Sequence, residues 1–457
     1  MKIIILGAGQ VGQSLARHLS SEANDITVVD QSPQVLRDLQ DRLDLRTIAG
    51  EASHPDILEQ AGGMDAEMII AVTNSDETNM VACQVAYTLF HTPLKIARVR
   101  ESSYLDHNQL FSPEAIAVDV LISPEQLVTE HIFRLIKHPG ALQVLDFAGG
   151  KVQLVATTAQ EGGALVGQEL RMLASHMPGI KSRVVAIFRN GESIKPTGRT
   201  LIRDGDEVFF VASPKNIRAI TSELRKLDRP YKKIMIAGGG NIGMRFAEVL
   251  GDRYHVKIIE RDPSRCRYLA ENLDHAIILN GDAVDEELLN EENIQGVDVF
   301  VALTSDDEAN ILSAMLAKKL GARKVMSLVN RPAYSLLIES GIVDVAVSPQ
   351  QVTLSGLLRH VRRGDIVAVH SLRRGAAEAI EAIAHGDEKT SKVVGRRIDE
   401  IDLPDSASIA AVVRGSEVIV ASHDSKILAE DHVILFVGDK KRIPEVEALF
   451  QVSVSFF

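Results

Sequence analysis

Lys2-Ile3-Ile4-Ile5-Leu6 opens the chain as an almost unbroken apolar run, and Val11, Leu15 and Leu19 then recur at four-residue spacing. A run of that kind followed by that spacing predicts a strand, a tight turn and an amphipathic helix. The pattern continues. Strands are predicted at residues 2–6, 25–30, 45–49, 68–73, 95–99 and 116–122, with helices between them at 10–19, 32–42, 53–61, 77–90 and 103–109. Met68-Ile69-Ile70-Ala71-Val72 is nearly continuous hydrophobe, as a strand covered on both faces requires. The alternation predicts an α/β fold, a Rossmann-like doubly wound parallel sheet with helices on both faces.

The first turn reads Gly7-Ala8-Gly9-Gln10-Val11-Gly12, the G-x-G-x-x-G spacing of dinucleotide-binding loops. The first glycine allows the turn, the second lets a pyrophosphate approach bare backbone, and the third lets the helix pack close to the strand. Phosphate then meets free N–H groups at the helix N-terminus. Asp30 ends the second strand, where a carboxylate accepts ribose hydroxyls and repels a 2′-phosphate, favouring NAD-type ligands. Thr73 and Asn74 end the fourth strand at the carboxyl edge and are expected to touch nucleotide. Asp76, Glu77 and Asn79 open the next helix, with Asn74 or Ser75 as its cap. Arg98 and Arg100 end the following strand, placed for phosphate or a neighbouring subunit.

The whole unit returns. Gly238-Gly239-Gly240-Asn241-Ile242-Gly243 repeats the loop at an offset of 231 residues (238 − 7). Glu260 takes the place of Asp30, and Gly281-Asp282-Ala283 repeats Gly50-Glu51-Ala52. Thr304-Ser305-Asp306-Asp307-Glu308-Ala309-Asn310 repeats Thr73 to Asn79, and Ser348-Pro349 repeats Ser123-Pro124. The chain is a tandem duplication. Arg331 reads as the counterpart of Arg100, with Ser327 replacing Arg98, so the two sites are expected to differ in ligand preference or affinity.

Each unit carries a sequel. Glu125 to Lys137 and Gln351 to Arg363 read as helices that either reach a partner or pack back on their own domain. Residues 141–213 hold short β runs, a hairpin signal at Asn190-Gly191, a short helix starting at Leu165-Val166-Gly167 and a turn at Arg203 to Asp206. Residues 366–438 echo them, and 214–230 read as a helix and charged linker. Four segments result: Rossmann-like domains at 1–135 and 229–358, each followed by a small α+β domain, at 136–228 and 359–457.

Charge and chemistry narrow the function. Lys and Arg number 50 against 62 Asp and Glu, a net charge of −12 that argues against nucleic acid as a main partner. Cys83 and Cys266 occupy unrelated positions in apolar helical contexts, which predicts buried free thiols and a reducing compartment. The first apolar run is itself a strand, so no cleavable signal is expected. The longest uncharged stretch, Thr78 to Leu94, is too short and polar to span a bilayer. Membrane association is expected only through a protein partner. The histidines show no ligand-like grouping, so no metal is expected. Neither a nucleophile–base set nor a substrate domain facing a nicotinamide stands out. Two nucleotide folds without attached chemistry predict a sensor whose ligand biases one domain arrangement over another. The alternatives are an NAD-dependent oxidoreductase with a duplicated Rossmann fold, and a scaffold with vestigial loops.

Gly-Ala-Gly-Gln-Val-Gly with Asp30, Thr73 to Asn79 with Met80-Val81-Ala82, and Ala97-Arg98-Val99-Arg100 resemble RCK (KTN) domains, the cytoplasmic regulators of potassium channels and transporters. The likeness runs into Ser348-Pro349-Gln350-Gln351 and Ser371-Leu372-Arg373-Arg374-Gly375, and the order of segments resembles the regulatory subunits of bacterial potassium uptake. The resemblance implies a non-enzymatic cytoplasmic subunit, peripheral on the inner face of the bacterial inner membrane. It also implies assembly as a homotetramer beneath a potassium-translocating subunit of the TrkH or TrkG type. NAD or NADH would be bound, with ATP and ADP as further ligands. The first site would comprise Gly7 to Gly12, Asp30, Thr73, Asn74 and Arg98; the second, Gly238 to Gly243, Glu260, Thr304 and Ser305.

Overall fold

Among the described residues, two six-stranded parallel sheets and two five-stranded antiparallel sheets alternate along the chain. The computed structural model describes residues 1–20, 24–226, 229–331, 334, 343–361, 366–372 and 377–451. The first parallel sheet is built from β1 (Lys2–Leu6), α1 (Gln10–Ser20), β2 (Asp25–Asp30), α2 (Pro33–Gln40), β3 (Arg46–Ala49), α3 (Pro55–Gln60), β4 (Met68–Ala71), α4 (Asp76–Phe90), β5 (Leu94–Arg98), α5 (Ser102–Leu105) and β6 (Val120–Ile122). Its strand order is β3-β2-β1-β4-β5-β6. The order reverses between β1 and β4, and ligands of open parallel sheets bind at that switch point. α6 (Pro124–Lys137) follows.

The first antiparallel sheet comprises β7 (Ala141–Phe147), β8 (Val152–Thr158), β9 (Ser182–Arg189), β10 (Glu192–Ile194) and β11 (Glu207–Ala212), with α7 (Met172–His176) and α8 (Pro214–Leu224). The second parallel sheet repeats the first: β12 (Lys233–Ala237), α9 (Asn241–Leu250), β13 (His255–Glu260), α10 (Pro263–Asn272), β14 (Ala276–Asn280), α11 (Glu286–Glu291), β15 (Val299–Ala302), α12 (Asp307–Lys319), β16 (Lys324–Leu328) and β17 (Val345–Val347). Its order, β14-β13-β12-β15-β16-β17, matches the first strand for strand. α13 (Pro349–Val361) leads to β18 (Ile366–Leu372), β19 (Ala377–Ala384), β20 (Ala407–Arg414), β21 (Glu417–Val420), β22 (Asp431–Val437) and α14 (Ile443–Leu449).

The chain divides into two compact units. One holds Met1–Val128 with Ser348–Leu357, the other Thr129–Val347 with Leu358–Phe457. In the first, Ile4, Leu6, Ile69 and Ala71 on the sheet pack against Met80, Cys83 and Ala86 of α4. In the second, Met235, Phe300 and Val325 pack against Ala314 and Ala317 of α12. The second unit also holds a core shared by the two antiparallel sheets: Phe147, Leu154 and Phe209 lie in one cluster with Ala379, Ile434 and Phe436. Glu381, 2% exposed, ties this core. Its Oε2 accepts the Ala148 N–H at 2.8 Å, while Oε1 lies 2.5 Å from His432 Nδ1. Buried carboxylates persist only with such partners. Each sheet also carries a two-pronged Arg–Asp pair, Arg189 with Asp206 at 2.7 and 2.8 Å, and Arg414 with Asp431 at 2.9 and 2.7 Å.

Some expected elements shift. The strand foreseen from residue 116 begins at Val120, because Ala117 N–H instead donates to Gln84 Oε1 at 2.8 Å. Leu165-Val166-Gly167 makes turns, with Gly167 at φ +82°, and the short helix starts at Met172. Both cysteines are free thiols; Cys83 is buried, and burial raises its thiol to about 12, but Cys266 is only half-buried. The end of the second crossover helix at Arg363, Asp228 of the linker, and Arg373-Arg374-Gly375 lie outside the described residues. No helix among the described residues is long and apolar enough to cross a membrane.

His131 on α6 makes stability depend on pH. Burial, then the charges of Arg134 and His370, hold its imidazole neutral and pull its pKa down to about 4 from 6.5. The folded state therefore resists a proton that the unfolded chain accepts, so this contribution is complete above about pH 6.5 and is lost as pH falls toward 4. Denaturation midpoints measured across that window are expected to fall less steeply in His131→Gln than in the native chain.

Candidate functional site

β1 ends at Leu6 and α1 begins at Gln10, leaving Gly7, Ala8 and Gly9 to turn the chain at the carboxyl edge of the first sheet. Gly7 sits at φ +98°, and a Cβ there would lie 2.9 Å from the Thr73 backbone. A Cβ on Gly12 would fall onto the Gly7 carbonyl oxygen, so the close approach this glycine permits is chiefly between helix and turn, with the Ile5 side chain farther off. At Gly9 a Cβ would meet nothing within 4 Å. Packing does not require a glycine there; the bare backbone faces open space at the start of α1.

Hydrogen bonds fix the loop. Gly7 N–H donates to Val29 O at 2.8 Å and Ala8 N–H to Asp30 Oδ2 at 2.6 Å. Asp30 Oδ1 accepts the Ser32 N–H at 2.9 Å. Each carboxylate oxygen has a second lone-pair direction, so Asp30 retains capacity for a ribose hydroxyl. Gln10 is exposed and Val11 half-buried.

The facing rim is organised by Asn79, fully buried. Its Oδ1 accepts Thr73 N–H at 2.9 Å and Thr73 Oγ1–H at 2.7 Å, and its Nδ2 donates to Arg98 O at 2.9 Å. Ser75, rather than Asn74, caps α4, its Oγ accepting Thr78 N–H at 3.1 Å; Asn74 is exposed. Asp76 accepts the backbone N–H groups of Arg100 and Glu101 at 2.8 and 2.9 Å and Arg100 Nε–H at 3.2 Å. Arg100 is therefore committed within the rim. Arg98 is different. One Nη2–H donates to Thr73 O at 2.6 Å, but its buried Nε–H has no hydrogen-bond partner among the described residues. Burial, followed by the neighbouring Arg100 charge, pushes the guanidinium pKa down, although Glu125 and Asp76 oppose this. A half-buried cation with a buried donor to spare fits an anionic ligand.

The second loop keeps the same devices. Gly238 has φ +102°, Gly240 faces open space, and a Cβ on Gly243 would fall onto Gly238 O. Gly239 N–H donates to Glu260 Oε2 at 2.8 Å, and Asn310 Oδ1 accepts Thr304 N–H and Oγ1–H at 2.8 and 2.7 Å. Asn241 starts α9, Ile242 is half-buried, and Ser305 is exposed on the rim. The strand register corrects the expected arginine correspondence. Ala71 pairs with Ala97, and Ala302 pairs with Ser327. Asn79 Nδ2 reaches Arg98 O, where Asn310 Nδ2 reaches Leu328 O. Arg98 thus corresponds to Leu328, 3% exposed, and Arg100 to Asn330; Arg331 stands at the place of Glu101. The stretch Asp307–Lys324 is one residue shorter than Asp76–Leu94, so the 231-residue offset carries Arg100 onto Arg331 instead of Asn330, while Ser327 stands at the place of Ala97. The second rim lacks the cation. Its loop is also covered by its own side chains: Arg265 Nε–H donates to Gly239 O at 2.7 Å, and Leu269 lies against Gly239.

The TrkA-N domain model matches residues 3–124 and 234–349, and the TrkA-C domain model matches 154–225 and 388–451. The chain belongs to the TrkA family. It is 60% identical over its whole length to the Trk system potassium uptake protein TrkA of Halomonas elongata, 58% to that of Vibrio alginolyticus and 52% to that of Haemophilus influenzae, each relative also being covered completely. Among solved structures, the GsuK RCK domain shares the fold, with a TM-score of 0.60 at 17% identity, over 98% of this chain and 95% of that one. The NAD-bound GsuK channel gives 0.61 at 17% identity, over 98% and 79%. The tandem RCK architecture is therefore that of the TrkA family, and the oxidoreductase alternative finds no support among these relatives.

The two glycines make a paired prediction. Gly12→Ala is expected to lower unfolding free energy by about 1–3 kcal/mol through overpacking against Gly7. Gly9→Ala is expected to change it by less than about 0.5 kcal/mol, as surface substitutions do. Urea denaturation of both variants measures the contrast.

Proposed function

We propose that this chain is the nucleotide-sensing regulatory subunit of a Trk potassium-uptake system, acting by binding rather than by catalysis. The observation that carries the reading is the Arg98 Nε–H, buried and without a hydrogen-bond partner among the described residues, on the rim facing an open glycine loop. NAD is the ligand named for a GsuK channel of the same fold. NAD or NADH is accordingly the proposed ligand here, with ATP and ADP as competitors sharing its adenosine and phosphates.

In this reading the α1 N-terminus and Gly9 backbone receive phosphate, Asp30 receives ribose hydroxyls, and Thr73, Asn74 and Arg98 form the facing rim. Bound nucleotide bridges the loop following β1 and the ends of β4 and β5. It supplies an acceptor for the Arg98 Nε–H, which has no hydrogen-bond partner among the described residues. The second site, with Glu260, Thr304 and Ser305 but with Leu328 for the arginine, binds the same class of ligand with different affinity. A bias of about 1–3 kcal/mol between arrangements is enough for useful regulation.

The four segments 1–135, 136–228, 229–358 and 359–457 act as two RCK units per chain. Four chains assemble on the cytoplasmic face of the inner membrane beneath a potassium-translocating subunit of the TrkH or TrkG type. That geometry lets nucleotide state at the loops reach the pore by changing how the domains meet.

Asp30→Ala is expected to weaken NADH binding at least about tenfold, by removing a charge-assisted hydrogen bond of about 1.5–3 kcal/mol. It should also flatten the NADH response of potassium flux in proteoliposomes holding the membrane subunit. Unchanged affinity in calorimetry contradicts the ribose assignment. Gly9→Val is expected to fold with native stability yet bind no NADH.

A further inference from the structure

The first glycine loop is touched by the other half of the chain. Gln350, in the first turn of α13, donates from Nε2 to Gln10 O at 2.8 Å. Residues Ser348–Leu357 belong to the same compact unit as Met1–Val128. Their seating depends on a small residue: a Cβ on Gly356 would stand 3.0 Å from Leu127 Cδ1 of α6. The equivalent residue of α6, 225 positions earlier (350 − 125), is Glu125. Its Oε2 is buried without a hydrogen-bond partner among the described residues, burial raises its pKa, and it interacts with the charges of Arg100 and Arg98. The two crossover helices thus bring different groups to one site, a carboxylate to the cationic rim and a neutral amide to the loop.

We infer that Gln350 is a positioning residue of the first nucleotide site, through which the second half of the chain both braces the glycine loop and senses its occupancy. The inference rests on the nucleotide reading of that loop. The Gln10 carbonyl and the Val11 N–H belong to one trans peptide plane and point in opposite directions. A phosphate at the α1 N-terminus loads the N–H end of that plane, while Gln350 loads the carbonyl end. Hydrogen bonds so linked polarise one another, and each strengthens the other. Ligand at the first loop therefore tightens the hold of α13, and release of α13 weakens ligand. A glutamate at 350 has the same length but no donor, and it would oppose the Gln10 carbonyl with negative charge.

The test is hydrogen–deuterium exchange on the full-length chain with and without saturating NADH, together with NADH calorimetry, for the native chain, Gln350→Ala and Gln350→Glu. NADH is expected to protect both residues 7–13 and residues 348–357 in the native chain. In both variants protection should persist at 7–13 and disappear at 348–357, with affinity reduced about three- to tenfold, the range of one hydrogen bond. Ligand-induced protection confined to 7–13 in the native chain overturns the inference while leaving the nucleotide reading in place. So does protection of 348–357 that is equal in all three proteins. Absence of NADH binding by the native chain overturns both.

Discussion

Strands of a parallel sheet end together, and at the carboxyl edge their last N–H and C=O groups run out of neighbours. Everything distinctive here follows from how that edge is satisfied. In each sheet three side chains take up the unpaired groups: Asp30 or Glu260 at the glycine loop, Asn79 or Asn310 between the fourth and fifth strands, and Asp76 or Asp307 beyond the fifth. These are short polar side chains with fixed reach, so they set the position of the backbone to within a hydrogen bond. They leave the helix N-termini of α1 and α9, and the open faces of Gly9 and Gly240, as the unfilled part of the edge.

The duplication preserved that framework and let the charge diverge. Both copies keep the turn glycines, the acid and the asparagine clamp, because each closes backbone hydrogen bonds that folding requires. The Arg98 position has no such duty beyond one bond to Thr73 O. Its replacement by Leu328 costs the second copy no essential hydrogen bond and removes a half-buried charge. Arg265 and Leu269 then cover part of the second loop. One chain thereby presents two loops of the same geometry and unlike electrostatics, and the proposed function uses that difference.

Most of the fold was legible in the sequence because parallel sheets write themselves as apolar runs between amphipathic helices, and the repeat checked each reading twice. The glycine loops, Asp30 and the Thr73 rim were legible for the same reason. What escaped was of two kinds. A single-residue deletion before β16 is invisible without the register, so the 231-residue offset carries Arg100 onto Arg331, and only the strand pairing shows that Ser327 stands at Ala97 and Leu328 at Arg98. Contacts across long sequence separations were the second kind. Glu381 with Ala148, the Phe147–Phe436 core and Gln350 with Gln10 depend on which surfaces of the two halves meet. The repeated Arg189–Asp206 and Arg414–Asp431 pairs carried a usable signal, the same residues at an offset of 225, within segments whose β pattern was otherwise weak.

The central claim is that two nucleotide sites of one chain differ because a guanidinium stands at one and an isobutyl group at the other. Calorimetric titration of NADH into the full-length chain, native and Arg98→Leu, tests it most directly. The account predicts two resolvable affinities in the native chain, with the tighter one lost when Arg98 becomes leucine. Two equal affinities, both indifferent to that substitution, would contradict it.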